Sequence, residues 1–151
     1  MNKPVVLPQR IVEKMEPKER KALGLKTRAE MTESCEYKAE KVIQSEVESW
    51  LRLRGYCPRS PAFLDGKVPR RGWYIHLHKT KKNPILLDLF IISGERCLEL
   101  ELKADGGELS PEQVAILNSD GTALAWSTPQ AIETVIKWEK KNGIKESNQH
   151  N

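Results

Sequence analysis

The strongest constraint on the fold lies in residues 85–104. Residues 85–92, ILLDLFII, are apolar at every position except Asp88, the pattern of a strand buried on both faces. Ser93, Gly94 and Glu95 make a tight turn. Residues 96–104 then read as a second strand with clean alternation, Leu98, Leu100 and Leu102 pointing one way and Glu99, Glu101 and Lys103 the other. If the two strands form a hairpin, Asp88 comes to lie near Glu101. A carboxylate inside an apolar strand is costly unless it is paired, hydrogen-bonded or metal-bound. Two converging carboxylates suit a hard cation such as Mg²⁺ or Mn²⁺, and a neighbouring lysine can orient water or steady charge on a phosphate. The alternative is a surface ladder of Glu101 and Lys103, with Asp88 capping a loop.

The flanking segments supply helices. Residues 36–54 carry Ile43, Val47, Trp50 and Leu51 at helical spacing, with Gly55 as a C-terminal stop. At 100° per residue, Glu40 and Gln44 fall within about 40° of Leu51, at the edge of the apolar stripe. Residues 56–72 read as a loop rich in Pro, Gly and Arg, and 73–78 alternate like a strand. Gly106-Gly107 ends the Glu101 strand. Ser110-Pro111-Glu112-Gln113 reads as a helix start with Ser110 as N-cap. Residues 122–127 form a short strand, and Thr128-Pro129 opens a helix that turns Ile132, Val135 and Ile136 inward and ends at Gly143. The order is α-β-β-β-α-β-α, an α/β class. Residues 1–33, with a short helix after Pro17 ending near Gly24, form an appendage: an arm, a docking element or a dimer contact. The main domain spans 34–143, and 144–151 are expected to be a disordered tail.

A chain of 151 residues can bury a core in one domain without disulfide staples. Cys35, Cys57 and Cys97 form no CxxC pair, which points away from a zinc knuckle and toward a reduced, cytoplasmic protein. No apolar run is long enough to span a membrane, and the first residues lack a secretory core. The net charge of +4 is unevenly spread: residues 52–82 hold nine basic residues against Asp65, net +8, whereas 83–151 hold six basic and eleven acidic residues, net −5. A basic segment can meet phosphates and an acidic one can hold cations, although a solvated basic loop has the same composition.

Asp88 followed by Glu101-x-Lys103 on the next strand, with a helix before and another after, resembles the PD-(D/E)xK nuclease superfamily. Within it the chain looks like a compact, stand-alone VRR-NUC domain of phage and bacterial type. The matching segments are EKVIQSEVESWLRLRGY at 40–56, LLDLFII at 86–92 and CLELELKADGGELSPEQVAIL at 97–117. The resemblance implies a restriction-endonuclease-like core with a mixed central sheet flanked by helices, Mg²⁺ or Mn²⁺ dependence, and a homodimer that cuts branched DNA such as Holliday junctions. It implies Asp88 and Glu101 as metal ligands, together with the Leu102 carbonyl and a supporting Glu40. Lys103 would be the catalytic lysine and Gln113 a helix glutamine of the site. Leu87 stands where the family usually shows proline.

Several residues keep two readings. Gln113 occupies the capping-box position three residues after Ser110, so it is either a cap or a site contact. Glu99 shares the Glu101 face and is expected at the rim, and Gln44 lies one turn beyond Glu40. Arg70, Arg71, Lys79, Lys81 and Lys82 are candidate DNA contacts. His76 and His78 share a strand face but lack a third metal ligand. The four tryptophans are expected in the core.

Overall fold

The computed structural model describes residues 5–27, 29–30, 40–60, 68–77, 87–104 and 106–147. Among the described residues these elements follow in order: α1 (Gln9–Val12), α2 (Pro17–Leu23), α3 (Glu40–Arg54), β1 (Tyr56–Pro58), β2 (Gly72–His76), β3 (Leu89–Ser93), β4 (Arg96–Leu102), α4 (Pro111–Leu117), β5 (Thr122–Ala125) and α5 (Thr128–Asn142). The five strands form one mixed sheet in sequence order. The central β2, β3 and β4 are antiparallel, and β1 and β5 join the edges in parallel.

The alternation of β4 divides the core into two. Leu98, Leu100 and Leu102 face the larger cluster, which takes Leu89 and Ile91 from β3, Ile43, Val47 and Leu51 from α3, and Ala131 and Val135 from α5. Each such leucine or isoleucine taken from water contributes roughly 1.5–3 kcal/mol. On the other side, Val6, Leu87, Leu109 and Leu117 make a smaller cluster, with Val114, Ile116 and Leu124 packed against it. The side chains of Glu101 and Lys103 belong to this second side.

Local signals hold the helices. Ser110 and Gln113 form a complete capping box on α4, with Pro111 in the first turn. Ser127 caps α5 through the Gln130 N–H, and Gly143, at φ 64°, ends it. Gly24 ends α2 in the same left-handed conformation, at φ 69°. No helix among the described residues is long and apolar enough to cross a membrane.

Four expectations change. Tyr56–Pro58, read from sequence as loop, is a strand: Tyr56 is buried, and the segment pairs with β2 from Gly72 onward. Its Pro58 sits on an edge strand, where a missing N–H is tolerated. β3 begins at Leu89, one residue beyond Asp88, because the Asp88 side chain takes an amide of β4. The inward stripe of α5 is Thr128, Ala131, Val135 and Glu139, with Ile132 and Ile136 only half-buried. The start of the expected tail is docked: the Ser147 N–H donates to the Arg70 carbonyl at 2.7 Å, and Arg70 pairs with Glu146. Residues 36–39, 78–86 and 148–151 lie outside the described residues.

The appendage packs on the domain as well. Val6 and Val12 are buried. Asn118 holds the Val6 backbone at both groups, its Oδ1 accepting from the N–H at 2.9 Å and its Nδ2 donating to the carbonyl at 3.2 Å.

Candidate active site

β3 and β4 place the site. Leu89 is the register partner of Leu100, and the ladder ends there, with Asp88 and Glu101 the next residues on the two strands. The amides of Glu99 and Lys103 donate to Gly121 and Ala125, toward β5, so those of Leu98, Leu100 and Leu102 point toward β3. The Leu102 N–H would find the Leu87 carbonyl in a continued ladder. Instead it donates to Asp88 Oδ2 at 2.7 Å, while the Asp88 N–H donates to the Leu100 carbonyl at 3.1 Å. A strand residue directs its N–H and C=O to the same edge. The Leu102 carbonyl therefore points to the edge where the Asp88 carboxylate stands.

Glu101 is fully buried, a costly place for a carboxylate without partners. Its Oε1 accepts from Gln113 Nε2 at 2.8 Å and lies 3.4 Å from Lys103 Nζ. Lys103, 9% exposed, runs beneath Gly107, where a Cβ would meet its Cδ at 3.3 Å and the Ala104 carbonyl at 3.0 Å. The glycine pair that ends β4 thus also lets the chain fold back closely over the lysine.

Gln113 closes the capping box and also reaches Glu101. Its Oε1 accepts from the Ser110 N–H at 3.0 Å and its N–H donates to Ser110 Oγ at 3.1 Å, closing the capping box. Its Nε2 remains to hold Glu101. One amide side chain therefore joins the start of α4 to the buried carboxylate of β4.

The oxygen donors at this end of the sheet, two carboxylates and a main-chain carbonyl, are the kind that a hard divalent cation takes. Asp88, Glu101 and Leu102 would hold it, with the Lys103 ammonium offsetting part of the negative charge. Among the described residues, no three His, Cys, Asp or Glu side chains gather into a group fit for a metal. Glu40 is therefore not brought together with Asp88 and Glu101. Its helix packs through Ile43, Val47 and Leu51 on the leucine face of the sheet, opposite the side to which Glu101 points. Gln44 lies on α3 as well, with its Nε2 2.7 Å from the His76 ring. Glu99 is half-buried on the Glu101 face, two residues away.

Of the expected DNA contacts, Lys79, Lys81 and Lys82 lie outside the described residues, as does His78. Arg70 is tied to Glu146 at 2.5 Å and to the Leu53 carbonyl at 3.0 Å. Arg71 is mostly buried and reaches Glu139 Oε2 at 3.2 Å.

That pairing belongs to a cluster absent from the sequence reading. Glu139, 2% exposed on α5, accepts from Arg54 Nη2 at 2.8 Å, from Tyr56 Oη at 2.9 Å and from Arg71 Nη1. Burial, and then the bond to Glu139, pushes the Tyr56 hydroxyl well above the ordinary tyrosine range. The bond to Glu139 also raises the Arg54 guanidinium. The cluster pins α3, β1, the approach to β2 and α5 together. One signal was available: Glu139 continues the buried i, i+4 stripe of Ala131 and Val135.

No protein-family model, characterised protein or solved structure matches the chain.

Proposed function

We propose that the chain is a divalent-metal-dependent endonuclease that hydrolyses DNA phosphodiesters, built on a restriction-endonuclease-like core. The observation that carries the reading is that Asp88 and Glu101 follow the last β3–β4 pair on adjoining strands, Asp88 holding the Leu102 amide and Glu101 meeting Gln113 and Lys103. What a bound Mg²⁺ or Mn²⁺ supplies there is polarisation of the scissile phosphate and a water of lowered pKa. Asp88 and Glu101 bind the cation, oriented by the Leu102 amide and the Gln113 amide respectively. Lys103 directs its ammonium to the phosphate side, where it orients the attacking water and offsets charge on the phosphate oxygens. Burial of Glu101 keeps bulk water from competing for the ligand atoms.

The substrate in this reading is branched DNA such as a Holliday junction, cut by a homodimer. A domain of this size has little room for sequence readout, and DNA shape and backbone are read by basic surface. Two-fold symmetry supplies matched cuts on two strands. The setting is the cytoplasm of a bacterial or phage-infected cell. A second reading, a DNA-binding module without chemistry, is favoured by one observation: both carboxylates already accept hydrogen bonds from the protein.

The test is cleavage of a labelled four-way junction, beside flap, nicked, single-stranded and linear DNA, with Mg²⁺, Mn²⁺ or EDTA. Asp88→Asn is the informative variant. Truncation to alanine would strip the buried Leu102 N–H of its acceptor, at about 1–3 kcal/mol, whereas asparagine keeps an acceptor and removes the charge. The expected outcome is metal-dependent cutting of the junction by the wild type and none by folded Asp88→Asn. Folded wild-type protein that binds the junction but cuts no form in either metal would favour the second reading.

A further inference from the structure

Residues 5–27 are not a free arm. Their own chemistry is cationic, with six basic residues against three acidic. Val6 is anchored by Asn118 at the end of α4 and lies in the cluster of Leu87, Leu109 and Leu117. Leu87 adjoins Asp88, so the arm is seated on the apolar floor beside the candidate site. Gln9 is buried, and its Nε2 donates to the Lys26 carbonyl at 3.2 Å and to Glu13 Oε1 at 2.9 Å, which stiffens the turn of α1 against the segment after α2.

This seating builds a cleft of about 550 Å³ between α1 and the approach to α4. Pro8, Gln9 and Arg10 form one wall, and Glu108, Leu109, Ser110, Pro111 and Val114 the other. Ser110 is shared: it lines the cleft and closes the capping box with Gln113, the residue that holds Glu101. The cleft wall is therefore joined to Glu101 through two contacts, Ser110 to Gln113 and Gln113 to Glu101. Arg10 is exposed on its wall, held on a short helix whose own packing is buried.

We infer that the arm is part of the substrate-binding surface, and that Arg10 contacts a DNA backbone phosphate flanking the one that is cut. This rests on the nuclease reading of Asp88, Glu101 and Lys103. A planar guanidinium on a fixed wall meets phosphate oxygens well, with little side-chain ordering left to do. Glu108, exposed on the facing wall, sets a carboxylate opposite Arg10. The two residues should then act with opposite sign, which a merely structural role would not produce.

The experiment measures affinity for a labelled four-way junction in EDTA, where no cutting occurs, across a series of NaCl concentrations. Wild type, Arg10→Glu, Glu108→Gln and Lys140→Glu are compared, each checked for an unchanged melting curve. Lys140 is exposed on α5, the helix that packs on the leucine face. Arg10→Glu is expected to weaken binding roughly tenfold at low salt and to reduce the salt slope by about one. Glu108→Gln is expected to tighten binding, and Lys140→Glu to leave it within about twofold. Equal affinities for wild type and folded Arg10→Glu would overturn the inference while leaving the nuclease reading intact. An equal loss in Lys140→Glu would also overturn it, since only net charge would then matter. Failure of the wild type to bind any DNA form overturns both.

Discussion

Gln113→Ala and Gln113→Glu separate the two jobs of one side chain. Alanine removes both: the Ser110 N–H loses its return acceptor, and Glu101 loses the donor at 2.8 Å. The capping half is worth about 1 kcal/mol, and a hydrogen bond to a buried charged group about 1.5–3 kcal/mol. The loss should therefore be roughly 2–4 kcal/mol, or about 5–15 °C in melting temperature for a domain of this size. Glutamate preserves the capping box, in which it is the commoner partner. It also sets a carboxylate against the buried Glu101 in place of a donor, so at neutral pH it should cost at least about 2 kcal/mol despite the intact cap. Ser110→Ala isolates the cap alone and should cost about 1 kcal/mol. Urea unfolding at pH 7 measures all three. Were Gln113→Glu as stable as wild type, the bond from Gln113 to Glu101 would not exist in solution, and the coupling of α4 to the site would be wrong.

Other perturbations test the frame around the site. Glu139→Ala leaves Arg54, Arg71 and the Tyr56 hydroxyl around a vacated buried position and should cost about 3–5 kcal/mol, read by chemical denaturation. The raised Tyr56 and Tyr74 hydroxyls, each shifted chiefly by burial, give stability that is complete below the unfolded tyrosine pKa of about 10 and is lost as pH rises through the folded values. The urea midpoint should therefore fall between about pH 9 and pH 11, and fall less in Tyr56→Phe. Gly72→Ala should destabilise by about 1–3 kcal/mol or more, because its Cβ would stand 1.9 Å from the Ile92 carbonyl oxygen across β2 and β3. A melting temperature within 1 °C of wild type would contradict that close approach.

What the sequence disclosed, and what it withheld, divides by the range of the interaction. The period-two alternation of β4 was readable because each leucine is buried by the same sheet face. The capping box of α4 was readable because Ser110 and Gln113 are three residues apart and need nothing else. The bond from that same Gln113 to Glu101 was not, since it exists only once α4 has been laid over β4. Asp88 could be marked as an anomaly in an apolar run, but its early end to the β3 ladder depends on the Leu102 amide, fourteen residues on. β1 was missed because Tyr-Cys-Pro is too short to show a period, and its identity as a strand comes from Gly72 beside it. The Glu139 cluster draws on residues up to 85 apart in the chain. Yet Glu139 and Asp88 carried the same local mark, a carboxylate where the periodicity calls for an apolar side chain. The mark reveals a buried charge without revealing its purpose. Partners decide that: Glu139 is enclosed by two guanidiniums and a phenol that pin helices and strands, whereas Asp88 accepts from a backbone amide and Glu101 from a side-chain amide beside Lys103, at the end of a strand pair. Asp88 and Glu101 end a strand pair with carboxylate oxygens that two amides and a lysine hold in place, donors suited to a hard cation, and that is the physical reason to look for chemistry there and for architecture at Glu139.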